Sequence, residues 1–120
     1  MLPAGSLERP TISVFKQERV EAIAACIDQI AVFEITTHAD RLSPVWRVQS
    51  RDGECVILRH IAYGQTPQGF IVDTAPVELR AGVAYSFMGH GWTRDWMPGV
   101  PWYGGGRAVF ANDAWREIER

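Results

Sequence analysis

Apolar residues in this chain recur at every second position, and turn-forming residues break the runs after only a few residues. TISVFK sets Ile12, Val14 and Lys16 against Ser13 and Phe15, and IAVFEIT sets Ala31, Phe33 and Ile35 against Ile30, Val32 and Glu34. PVWRVQS turns Trp46 and Val48 to one side and Val45, Arg47 and Gln49 to the other, and VAYSFMG alternates Val83, Tyr85 and Phe87. ECVILRHIAY begins near-continuously apolar, as a central strand does, and GRAVFAN reads as a last strand. Between these runs lie ADRLSP, RDGE, GQTPQG, TAP and RAG, rich in the residues that turns select. A side-chain period of two with frequent turns predicts an all-β fold: one sandwich of about seven to nine short antiparallel strands.

One stretch competes with this pattern. In QERVEAIAACIDQI, residues Val20, Ile23, Ala24, Ile27 and Ala31 fall on the stripe of an amphipathic helix, and alanine and glutamate favour that state. The alternative architecture is therefore α+β, with one helix near residues 17–30. Consistency along the whole chain favours strand.

With 120 residues the chain can bury one core, which predicts a single domain over 12–120 preceded by a short extension, 1–11. The net charge of -2, a lone lysine at Lys16 and arginines dispersed along the chain argue against a nucleic-acid groove. No apolar run approaches the roughly 18 residues that a membrane span needs. IAAC at 23–26 has the outline of a lipoprotein cleavage site, but the residues before it are charged where an apolar stretch is required. The compartment is not legible; export would require a leader removed before residue 1. Cys26 and Cys55 are too far apart for a Cys-x-x-Cys motif, and the sequence leaves a disulfide and two buried thiols equally open.

No catalytic constellation is visible, and no cofactor or metal motif. His38, His60 and His90 are widely separated, so a metal site would need long-range convergence with Asp40 or Asp95. His60, in a strongly apolar run, reads as a core or interface residue. Ser86 lacks a nucleophile elbow, and Glu54 beside Cys55 opposes thiolate formation. Asp73, Asp95 and Asp113 show no spacing that selects an acid–base pair, and the glycines at 104–106 lack the lysine of a phosphate loop.

LRAGVAYSF carries Leu79, Gly82 and Tyr85 as L-x-x-G-x-x-Y ahead of an alternating strand. This resembles the tyrosine corner of immunoglobulin-like and fibronectin type III domains, in which a tyrosine early in the penultimate strand bonds back to the chain upstream. The resemblance implies that Trp46 is the core tryptophan, that VAYSFMGHG is that penultimate strand, and that GGRAVFAN follows it. In general form the chain is also similar to small bacterial exported β-sandwich proteins, some of which neutralise a secreted toxin as its immunity protein.

GWTRDWMPGVPWYGGG, residues 91–106, concentrates three of the five tryptophans with two prolines and five glycines, and reads as an irregular loop of about fifteen residues. Either its rings plug the end of the sandwich or several face out as a contact surface. The expected function is non-catalytic recognition of a protein partner through residues 89–106, with Trp92, Arg94, Asp95, Trp96, Trp102 and Tyr103 as the contact residues. A carbohydrate-binding module that stacks sugars on Trp96 and Trp102 is the first alternative, and a small hydrolase or metalloprotein the second. Coplanar rings on a flat face would favour sugar; a protruding ring or a pocket would favour protein. A homodimer is a further option, with a strand such as 12–16 pairing at a sheet edge.

Overall fold

A computed structural model describes residues 1–14, 25–35, 44–93 and 101–118. Among them every regular element is a strand: β1 Leu2–Ala4, β2 Thr11–Ser13, β3 Ala25–Glu34, β4 Pro44–Ser50, β5 Val56–Ile57, β6 His60–Ala62, β7 Phe70–Thr74, β8 Ala84–Thr93, β9 Pro101–Ala111 and β10 Ala114–Glu117. They form two antiparallel sheets, one of order β1-β2-β6 and one of order β10-β9-β8-β3-β4-β7, with β5 pairing β3. The fold is all-β, and its layers are those of a sandwich.

The alternation seen in the sequence is the burial pattern. Trp46 and Val48 of β4 are buried, as are Tyr85 and Phe87 of β8, while their strand neighbours are more open. Ile12 and Ile61 from the small sheet join Ile30, Val32, Trp46, Val48, Tyr85 and Phe87 from the large sheet in one core cluster. Fully burying side chains of this size contributes about 1.5–3 kcal/mol each, which is why strand register follows the apolar face.

The helix alternative for 17–30 is overturned where the structure describes it, because Ala25–Ile30 lie in β3; residues 15–24 fall outside the described residues. A bulge interrupts the alternation of β3 in this stretch. The β3–β8 register shifts between Ile27 and Gln29, inserting Asp28. Ile27 and Ile30 are therefore both buried although three residues apart, a spacing that imitates a helix face.

Four further expectations are corrected. ECVILRHIAY is no central strand: β5 is a two-residue exposed strand, β6 lies at the rim of the small sheet, and His60 is exposed. Strand β2 is not an edge, since it sits between β1 and β6. Segment 91–106 is no long loop: β8 continues to Thr93 and pairs with β9 from Trp92↔Pro101 onward. Pro101 is accommodated as the first residue of its strand, where a missing N–H is tolerated. Finally, β9 is followed by β10 across Asn112 and Asp113, both at positive φ, so Tyr85 lies on the third strand from the end. Two central residues at positive φ are the signature of a tight hairpin turn.

Residues 1–11 carry β1 and the first residue of β2, and the Met1 backbone nitrogen donates to the Gly105 carbonyl. The fifth tryptophan, Trp115, packs edge-on against Tyr85, Phe87 and Phe110, and its indole N–H donates to the Ser6 carbonyl. Leu79 is buried, Gly82 has a φ of 80°, and the Tyr85 hydroxyl accepts the Arg80 backbone N–H at 2.9 Å. Cys26 and Cys55 form a disulfide that ties the turn after β4 to β3.

Candidate functional site

The long strands of the large sheet turn one face to the core and the other outward. Along β8, Tyr85, Phe87, Gly89 and Gly91 are buried, so Ser86, Met88, His90 and Trp92 form the outer row. Register extends that row sideways. His90 pairs with Gln29 of β3 and Tyr103 of β9, Met88 with Ala31 and Gly105, and Ser86 with Phe33 and Arg107. Gln29 in turn pairs with Gln49, and Gln49 with Ile71 of the edge strand β7.

Three rings cluster on this face. The His90 ring meets Tyr103 at 4.9 Å with an interplanar angle of 63°, and Trp92 at 5.8 Å with an angle of 77°. Both contacts are edge-to-face, the arrangement that the ring quadrupoles favour. His90 is held from its other side, where its Nδ1 lies 2.7 Å from Asp28 Oδ1. The bulge is what makes this possible, since the inserted residue departs from the regular alternation and its carboxylate reaches across to β8. Tyr103, propped on that fixed imidazole, is 72% exposed. Beside it a shallow cleft of about 220 Å³ is lined by Gln29, Ala31, Phe33, Met88, Gly89, His90 and Tyr103. Met88 is also exposed. The rim of the face holds an Arg47–Asp73 ion pair at 3.7 Å, and in its corrected amide orientation Gln29 accepts from the same guanidinium.

Of the six contact residues expected from the sequence, the structure brings Trp92 and Tyr103 together around His90. Trp102 is a β9 residue paired with Gly91, and its side chain is not among those described. Arg94, Asp95 and Trp96 lie outside the described residues, as does His38. Asp28, Phe33, Met88 and His90 were not among the expected contacts. The signal for Met88 and His90 was present, because they share the outward parity of Trp92 once Tyr85 and Phe87 are inward. Asp28 had no signal, since a bulge cannot be read from alternation.

Among the described residues, the two displaced acidities lie elsewhere. Burial pushes the Tyr63 phenol up to about 12, and its hydroxyl donates a 2.6 Å hydrogen bond to the Val77 carbonyl. In an exposed turn, the Glu54 backbone N–H holds the Asp52 carboxyl below its usual range. Among the described residues no group of three or more His, Cys, Asp or Glu side chains could hold a metal, and no helix is long and apolar enough to cross a membrane. The chemistry on offer at the outer face is contact: a protruding ring, an apolar recess and a polar rim.

No family model matches this chain, and neither a curated protein nor a solved structure matches it.

Proposed function

We propose that this chain is a recognition domain that binds a protein partner through the outer face of its large sheet, where β3, β8 and β9 meet. The observation that carries the reading is Tyr103: 72% exposed, seated edge-on against an imidazole that Asp28 holds in place, and bordering an apolar cleft. A rigid aromatic beside a recess is the anchor geometry of binding hot spots, because it offers large contact area at little entropy cost. The saccharide alternative rested on Trp96 and Trp102, whose side chains are outside those described, whereas the protruding Tyr103 beside an apolar recess favours a protein partner. The contact surface of this reading keeps Trp92 and Tyr103 and adds Met88, Phe33 and His90. Neutralisation of a toxin by an immunity-type protein is one form such recognition takes.

The test is affinity capture from the native host, followed by identification of the bound protein and titration of the purified pair. Wild type is compared with Tyr103→Ala and with Met88→Glu, both altered at exposed positions so that folding is retained. Loss of the same partner from both folded variants supports the surface. Equal affinity of the partner for all three proteins would refute it.

A further inference from the structure

The outer face has a direction. Along β9 it reads Tyr103, Gly105, Arg107, and along β8 it reads His90, Met88, Ser86, so an aromatic end passes through an apolar middle to a cationic end. The middle row is hollow because Ala31 and Gly105 flank Met88 on either side. Packing does not demand a glycine at 105: a Cβ there would meet nothing nearer than the Phe87 carbonyl oxygen at 3.8 Å. The space above it is open and shallow.

Charge on this face is unevenly satisfied. Arg47 is paired with Asp73, and Asp28 with His90. Arg107 is exposed and, among the described residues, has no ion pair. Arg116 pairs in register with Val109, one row beyond, and donates its Nε to the Ala111 carbonyl. No described carboxylate answers this end of the face.

We propose that the partner presents an extended segment carrying a large apolar side chain and, two residues later, an aspartate or glutamate. The apolar side chain enters the cleft between Tyr103 and Met88, and the carboxylate pairs with Arg107. This rests on the outer face being the recognition surface. The spacing argues for it: the Met88–Gly105 and Ser86–Arg107 rows are two strand residues apart, about 7 Å. Alternate side chains of an extended peptide have that same separation, so one segment lying along β9 reaches both rows. The Arg107 guanidinium, without an ion pair among the described residues, supplies the charge complementarity that sets its direction and specificity.

The experiment is selection from a displayed library of random heptapeptides against wild type and Arg107→Glu, followed by binding of the wild-type consensus peptide to each protein. Circular dichroism first checks that both are folded. Wild type is expected to enrich apolar–any–acidic sequences. Arg107→Glu should exchange the acidic position for lysine or arginine and weaken the wild-type consensus about tenfold or more. Gly105→Leu, which fills the open hollow, should abolish binding while the protein remains folded. Absence of enrichment, or a consensus peptide that binds Arg107→Glu as tightly as wild type, overturns the proposal. The partner captured from the host separates the two claims. If it depends on Tyr103 and Met88 but is indifferent to Arg107→Glu, the motif fails and the surface stands. If it depends on none of the three, the surface fails as well.

Discussion

Breaking the Cys26–Cys55 disulfide should cost this protein a large part of its stability. The bridge closes a separation of 29 residues. In the chain-entropy account a loop of that size removes about 12 cal/mol/K from the unfolded ensemble, or about 3.6 kcal/mol at 25 °C. For a chain of 120 residues the unfolding entropy near the midpoint is about 0.25 kcal/mol/K, so the melting temperature should fall by roughly 15 °C on reduction. The effect also has a local part. Among the described residues, strand β5 pairs with β3 through Cys26↔Ile57 and Ile27↔Val56, too short a ladder to hold itself. Urea unfolding with and without a phosphine reductant measures the global term, with Cys26→Ala/Cys55→Ala as a second route to the open form. Hydrogen exchange at Val56 and Ile57 reads the local term and should accelerate on reduction, while Val32 and Phe87 remain protected in the native ensemble. A loss below about 1 kcal/mol, with both thiols shown free by mass spectrometry, would refute the reasoning. It would mean that the unfolded chain is already restricted around this loop.

The remaining expectations concern the fold. Tyr85→Phe removes the acceptor of the Arg80 N–H and should cost about 1–2 kcal/mol in urea unfolding; a loss near zero would mean that water replaces the hydroxyl. Gly91→Ala drives a Cβ into the Cys26 carbonyl and Ile27 Cα, both backbone atoms that cannot swing aside, and should cost at least about 2 kcal/mol; an unchanged midpoint would show that β3 and β8 separate freely there. Because burial raises the Tyr63 phenol from 10 to about 12, between those values the unfolded chain releases a proton that the folded chain keeps. Its contribution is intact below pH 10 and is lost as pH rises toward 12, so stability followed across that window should decline less steeply in Tyr63→Phe.

Strand identity was legible because it depends on neighbours two residues apart. Trp46 and Val48 announce the buried face of β4 by themselves, and Tyr85 and Phe87 do the same for β8. The hairpin between β9 and β10 has a local signal too: Asn112-Asp113 offers two residues that tolerate positive φ between Phe110 and Trp115. The segment after Gly91 misled for the opposite reason. Its prolines and glycines argue against sheet locally, yet Pro101 opens a strand and Gly104, Gly105 and Gly106 sit within the β8–β9 ladder. Pairing with a long, already ordered neighbour outweighs weak intrinsic preference.

The candidate site shows where reading along the chain stops. By itself the sequence determined that strands would form over most of the chain and which side chains share a face in the regular ones, as Trp46 and Val48 do in β4 and Tyr85 and Phe87 in β8. Only the tertiary structure decided that β3 lies between β8 and β4, and with that order Gln29, Ala31 and Phe33 came to lie beside His90, Met88 and Ser86. It also decided that Asp28 bulges to grip His90 and that Cys26 meets Cys55. The physical reason is that alternation is a property of one strand, whereas register, bulges and cross-links are properties of pairs. A pair is chosen by how well two faces pack together across dozens of residues of intervening chain.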